Sequence, residues 1–279
     1  MLRSRTVTLG DIVVAVDEWP ADAGRHGLPL LFLHGAVQTR SIWVSQTASL
    51  AGSRRIMAVD LRGHGETMQG SRPMTVAQMA ADVLSLLDQL QIQKVAVCGV
   101  SLGGMVALKL AEQAPDRISS LILSNTPTSL TSNRWLRSLV DRIDPQNLMP
   151  ITFRLLGQQR AARLGLAVAA KAVGPRWVGA TARRHFIEGF ERMDAKAIVG
   201  TYRAIVEARP VDPGSIRCPV LLIKGDADAP SIDAQMDELG EQLGQVRIET
   251  VQAGHVASLD NPAAFNRLLT RFLEQHDPA

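Results

Sequence analysis

Three kinds of residue in this chain have the types and spacing for nucleophilic attack on a carbonyl. The first is Ser101 in "CGVSLGGM", with Gly99 two residues before it and Gly103 two after. The run Lys94 to Gly99 ("KVAVCG") reads as an apolar strand, and Gly103 to Ala114 reads as a helix stopped by Pro115. A sharp turn from strand to helix holds a serine in a strained backbone conformation, its oxygen above the sheet, and needs small residues at those two flanking positions. The helix N-terminus that follows offers free N–H groups and partial positive charge to a developing anion. Gly-x-Ser-x-Gly occurs in many loops, and its place between a strand and a helix is what gives it meaning here.

A serine hydroxyl needs a base, and the base needs an orienting carboxylate. Of the six histidines, His26 and His276 lie in polar segments and His185 in a helical stretch. His34 ("LHG") and His64 ("RGHG") sit at strand ends beside glycines, in tight turns that suit structural roles. His255 follows the strand-like run "VRIETV", in "AGHVASLDNP". A loop there returns to the carboxyl edge of a sheet, where open α/β folds bind ligands. For the carboxylate, "IKGDADAPSID" offers Asp226, Asp228 and Asp233 within one loop.

The elements that must position these groups can be read from hydropathy patterning. "PLLFLHG", "RIMAVDLRG", "KVAVCG", "SLILSN" and "PVLLIKG" are apolar without alternation, as expected of strands buried on both faces of a parallel sheet. Helical patterns lie between them. Val76, Met79, Ala80, Val83, Leu86, Leu87 and Leu90 fall on one helical face, with Thr75 and Gln78 as a predicted capping box. Near the end of the chain Asn261 is a predicted cap and Pro262 suits the first turn. Phe265, Leu268, Leu269, Phe272 and Leu273 form the stripe of that helix. "TVTL" and "IVVAV" read as an edge hairpin turning at Gly10–Asp11. Alternating strands and helices imply a doubly wound α/β sheet. Pro127 to Asp212 breaks the rhythm, being helical in composition with no clear strand, as an insertion would be.

Composition bounds the rest. The chain has 279 residues, 46% apolar and 20% charged, as a soluble globular protein would. No apolar run approaches the ~20 residues of a membrane span, and the N-terminus lacks an apolar signal region. Two isolated cysteines, Cys98 and Cys218, do not make a disulfide framework, so a reduced, cytoplasmic location is expected. The segment from Pro127 to Asp212 holds fourteen Lys/Arg and seven Asp/Glu, a net +7 within a chain of net +3, so the remainder carries −4. That excess is either a solvated helical surface or a positive field over a site that receives anions. Zinc-finger spacing, RNP-like stretches and aromatic-interleaved basic stripes are missing, which argues against nucleic acid as a partner. With no H-E-x-x-H, P-loop or suitable dinucleotide fingerprint, no metal or organic cofactor is expected. A homodimer is left open.

Taken in order, these motifs resemble the α/β-hydrolase superfamily. "LFLHG" is similar to the segment before the oxyanion loop, "VDLRGHGET" to D-x-R-G-x-G-x-S, "CGVSLGGM" to the nucleophile elbow, "GDAD" to G-x-x-D, and "GHVASLDNPAAFNRLLTRFL" to the terminal histidine segment. The chain order Ser, Asp, His is the one this fold uses. The resemblance implies a mostly parallel eight-stranded sheet flanked by helices, with residues 1–126 and 213–279 as core and 127–212 as a helical lid. It implies Ser101 as nucleophile, His255 as general base and Asp228 as the triad acid, with Asp226 as runner-up, supporting the turn through local hydrogen bonds. Oxyanion donors would be the backbone N–H groups of Leu102 and Ala36. Thr67 stands where serine is usual and Asp260 where glutamate is common.

Within the superfamily the chain is most similar to 3-oxoadipate enol-lactonases and their carboxylesterase relatives. That implies a serine hydrolase acting on a small ester or lactone. An anionic substrate would suit a cationic lid, with Arg134, Arg137 and Arg142 as carboxylate partners and Trp135 and Trp177 lining the pocket. "LHGAVQT" departs from the S-N-S-x-G segment common in enol-lactonases, which leaves C–C hydrolase and haloperoxidase-like chemistry as alternatives. Val100, where C–C hydrolases usually carry Asn, argues against the former, and Ser101 excludes the aspartate-nucleophile branches. A small-ligand sensor of the same fold is the non-enzymatic alternative.

Overall fold

The structure, a computed structural model, describes residues 2–24, 27–129 and 145–277, with the backbone alone for 145–150. Eight strands form one sheet: β1 (Arg3–Leu9), β2 (Ile12–Trp19), β3 (Gly27–Leu33), β4 (Arg54–Val59), β5 (Val95–Val100), β6 (Ile118–Ser124), β7 (Val220–Gly225) and β8 (Val246–Val251). Their spatial order is β1-β2-β4-β3-β5-β6-β7-β8. β1 and β2 pair antiparallel around Gly10–Asp11, and β2 pairs antiparallel with β4; every later pair is parallel.

The uninterrupted apolar runs have the expected cause. Leu31 and Leu33 of β3, Met57 and Val59 of β4 and Val95 and Val97 of β5 enter a core on one face of the sheet. Their neighbours Leu30, Phe32, Ile56, Ala58, Ala96 and Cys98 enter a second core on the other. Successive side chains point to opposite faces, and both faces are covered, so the inner positions of these strands are apolar and the polar Arg54 and Arg55 stand at the start of β4.

The helices that cover it include α1 (Val44–Ser49), α2 (Val76–Gln89) and α3 (Leu102–Gln113). Between β6 and β7 lie α4 (Pro145–Leu156), α5 (Gln158–Val173), α6 (Ala180–Arg192) and α7 (Ala195–Val206). After β7 come α8 (Pro230–Gln242), α9 (Ala257–Asp260) and α10 (Pro262–His276). The last helix is capped by Asn261 Oδ1, which accepts from the Ala264 N–H, with Pro262 at its start. Among the described residues no helix is long and apolar enough to cross a membrane.

One local expectation is corrected. Only half of the Thr75–Gln78 capping box forms. Thr75 Oγ1 accepts from the Gln78 N–H at 3.0 Å, but the Gln78 side chain donates to Asp82 Oδ1 at 2.9 Å instead of reaching back. Asp82, on the buried face of α2, serves a larger need. Arg62 is fully buried and its guanidinium donates to both Asp82 oxygens (2.7 and 2.8 Å) and to both Asp11 oxygens (2.9 and 3.0 Å). A buried guanidinium must be paired on all sides. This one ties the first hairpin, the "RGHG" turn and α2 together. Cys98 and Cys218 are free and buried, and burial raises both thiols, Cys218 to about 11.

Candidate active site

The site forms where β3, β5, β6 and β7 end. Ser101 follows β5 directly and opens α3 with φ 52° and ψ −117°, a conformation that L-residues hold only under tertiary constraint. Its flanking glycines are required by close approach. A Cβ on Gly103 would meet the carbonyls of Leu33 and His34, and one on Gly99 would meet the Gly103–Gly104 peptide. No side-chain rotation relieves a clash with backbone, so the turn fixes both positions as glycine.

Ser101 Oγ lies 3.0 Å from His255 Nε2. On the far side of the ring, Nδ1 is 2.9 and 3.0 Å from the two oxygens of Asp228. An ionised carboxylate only accepts, so Nδ1 carries the proton and the lone pair of Nε2 faces the hydroxyl. The Asp228 side chain is 3% exposed and that of His255 15%. Burial works to raise the Asp228 carboxyl. The charge and hydrogen bond of His255, with donors from Asn125 and the Ala229 N–H, outweigh it and hold the carboxyl below its ordinary value.

The other two aspartates of the loop have separate duties. Asp226 Oδ1 accepts from Arg176 at 2.5 Å and from the Ala253 N–H at 3.0 Å. Its partners are therefore long-range, not the local turn bonds expected from its place beside Gly225. Asp233, in the first turn of α8, pairs with Lys224 at 2.8 Å.

On the opposite side of Ser101 the turn after β3 is held from within. Gln38 Oε1 accepts from the Gly35 N–H at 3.0 Å, and His34 Nδ1 donates to the Gly35 carbonyl at 2.8 Å. His34 Nε2 accepts from the Leu61 N–H at 3.0 Å. A Cβ on Gly35 would lie 3.5 Å from Ser101 Cβ, so the turn that carries Gly35 runs beside the serine. Leu102, in the first turn of α3, has an N–H that no carbonyl of its own helix can take. His64 Nδ1 donates to the Arg62 carbonyl at 3.0 Å. Burial lowers His34 to about 4 and His64 to about 3, so both are neutral braces at neutral pH.

A model of the α/β hydrolase fold matches residues 29–262. The chain belongs to this family. This α/β hydrolase is 26% identical over 265 residues to 3-oxoadipate enol-lactonase 2 of Acinetobacter baylyi, covering 91% of this chain and 92% of the relative. The enol-lactonase of Burkholderia xenovorans superposes with a TM-score of 0.79 at 25% identity, covering 96% of this chain and 99% of that one. An esterase of Thermogutta terrifontis shares the fold with a TM-score of 0.77 at 24% identity, covering 98% of this chain and 99% of that one. The chain is an enzyme of the hydrolase class.

In this α/β hydrolase, two partners of Asp228 were not found from sequence. Asn125, just past β6 with φ 47°, donates from Nδ2 to Asp228 Oδ2 at 2.8 Å. Its signal was an asparagine at a strand end, a residue that tolerates the left-handed region. Trp177, expected in a pocket wall, has its indole N–H on Asp228 Oδ1 at 3.1 Å and its ring centroid 5.9 Å from that of His255. Arg134, Trp135, Arg137 and Arg142 lie outside the described residues. Among those described, no group of His, Cys, Asp and Glu is arranged to hold a metal ion.

Proposed function

We propose that this hydrolase cleaves a small carboxylic ester or lactone through a Ser101–His255–Asp228 triad and an acyl-enzyme. The observation that carries the reading is the unbroken line of contacts from Asp228 through His255 to the Ser101 hydroxyl. Ser101 Oγ attacks the acyl carbon as its proton passes to His255 Nε2, while Asp228 stays ionised and stabilises the imidazolium. The N–H groups of Leu102 and Ala36 receive the oxyanion; one such donor typically contributes on the order of 3 kcal/mol to the transition state. His255 then gives its proton to the leaving oxygen. Water, deprotonated by the same nitrogen, attacks the acyl-enzyme and frees Ser101.

Residues 127–212 are read as a helical cap over this edge, with 1–126 and 213–279 as the catalytic core. Two approaches support that reading. The Cβ position of Gly189 in α6 falls against the Val37 carbonyl, and that of Gly254, next to His255, falls against the carbonyls of Arg176 and Trp177. The cap's net +7 and the relatives named as enol-lactonases support a substrate that carries a carboxylate.

A panel of small esters and lactones, neutral and anionic, tests the proposal. The expected result is turnover, preference for the anionic members, labelling of Ser101 by a fluorophosphonate, and loss of both activities in Ser101→Ala. Equal turnover by Ser101→Ala and the natural chain would sink the mechanism. A preference for neutral esters would remove the anionic substrate alone.

A further inference from the structure

We propose that Trp177 is a positioning residue for the Asp228–His255 pair, and that through it the segment between α5 and α6 holds the acid in place. The inference rests on the triad reading above. Besides His255, Asp228 has three donors: the Ala229 N–H at 2.7 Å, Asn125 Nδ2 at 2.8 Å and Trp177 Nε1 at 3.1 Å. The first two belong to loops at the sheet edge. The third belongs to the helical segment inserted between β6 and β7.

That segment grips the acid loop and the base loop together. Arg176 pairs with Asp226 at 2.5 Å. The Trp177 carbonyl accepts from the His255 N–H at 2.6 Å. Asp260 Oδ2 accepts from Gly254 at 3.0 Å and from Gly179 at 3.4 Å, joining the base loop to the end of the same segment. Gly254 has no Cβ because one would strike the Arg176 and Trp177 carbonyls, so the sequence of the base loop is fitted to this contact.

The chemistry of the two neighbouring side chains is divided to suit. Arg176 is a cation and goes to Asp226, which takes no part in proton transfer. Trp177 is an uncharged donor and goes to Asp228. A guanidinium on Asp228 would neutralise the charge that must stabilise the imidazolium. An indole N–H fixes the carboxylate's orientation and leaves it ionised. The charged and titratable groups around Asp228 are then His255 from the base loop, Asp226 with Arg176 beside it, and Asp260 from α9, whose carboxyl burial raises.

Trp177→Phe keeps an aromatic ring, though a smaller one, and removes the N–H. Removing a donor makes the carboxylate a stronger partner for a charged imidazole, so the neutral, active form should appear at higher pH. The acidic limb of Ser101 labelling by a fluorophosphonate should therefore move up by about half a pH unit. KM for a small ester should stay within about twofold. An unmoved limb, or a change in KM alone, would make Trp177 a pocket wall and overturn the proposal. Indole 15N–1H spectra give a second readout should that variant fold poorly. The Trp177 indole resonance, assigned in the natural chain, should move in Asp228→Ala, and an unchanged one would also overturn it. If the natural chain is not labelled at any pH, the triad reading fails, while the indole spectra still report the Trp177–Asp228 contact.

Discussion

The carboxyl edge of the sheet and the helical segment between β6 and β7 are built to different standards. Every residue of β5 is buried, and the turn after it leaves no room for a methyl group at Gly99 or Gly103. In α5 the buried side chains are Ala162 and Leu166, while Leu164 and Val168 face outward, the latter 60% exposed. Leu155 of α4 is 76% exposed. The edge is over-determined by backbone contacts, so its geometry is fixed. The segment meets the edge around residues 176–179 and 189, and Phe190, Met193, Ala197, Ile198 and Ile205 enter the core, while its other face lies open to solvent.

The comparison can be broken most sharply at the acid loop. Asp228→Asn should lower kcat by on the order of 10⁴-fold with the fold intact, since the wrong tautomer of His255 would face Ser101. Asp226→Asn, two residues away, should cost less than about tenfold, because it loses only the Arg176 and Ala253 contacts. Steady-state kinetics of the two variants decide between them, and a reversed ranking would move the acid to Asp226. Next, Gly103→Val should destabilise by about 3 kcal/mol or more, measured by urea unfolding, because the clash is with the Leu33 and His34 carbonyls.

The buried histidines make a smaller, pH-dependent claim about the same edge. His34 and His64 fall from an ordinary 6.5 to about 4 and about 3 when folded. Between those values the unfolded chain binds more protons, so stability is full above about pH 6.5 and is lost on acidification. The slope should be ~1.4 kcal/mol per pH unit for each histidine between about pH 6 and pH 4. A His64→Gln variant should show a shallower slope in pH-dependent urea melts, and an identical slope would refute the assignment. The smallest effect belongs to the helical segment. Leu155→Gln and Val168→Ser should each change stability by no more than about 0.5 kcal/mol.

Legibility in the sequence followed the same division. The elbow could be read because a strand, a serine between glycines and a helix are contiguous, and one local geometry explains all three. The hairpin, the doubly wound sheet and the Asn261 cap were legible for the same reason. Asn125 and Trp177 were not legible as partners of Asp228, since they lie 103 and 51 residues from it and nothing in their neighbourhood announces a carboxylate. Asp226 was misread as a local turn residue because its partners, Arg176 and Ala253, arrive from other loops. The Gln78 half of the capping box failed because Asp82, committed to buried Arg62, offered its side chain a charged acceptor. Local geometry is written in neighbouring residues, whereas the partners of a buried charge are set by topology.

The two cysteines have a practical consequence. Both thiols are buried and kept protonated, so the folded chain should be silent toward maleimides and iodoacetamide. A Ser101→Cys variant would then carry a single accessible thiol, at the centre of the site. A fluorescent tag placed there would report whether anything enters beneath the helices, without a catalysed reaction and without removing a native residue elsewhere.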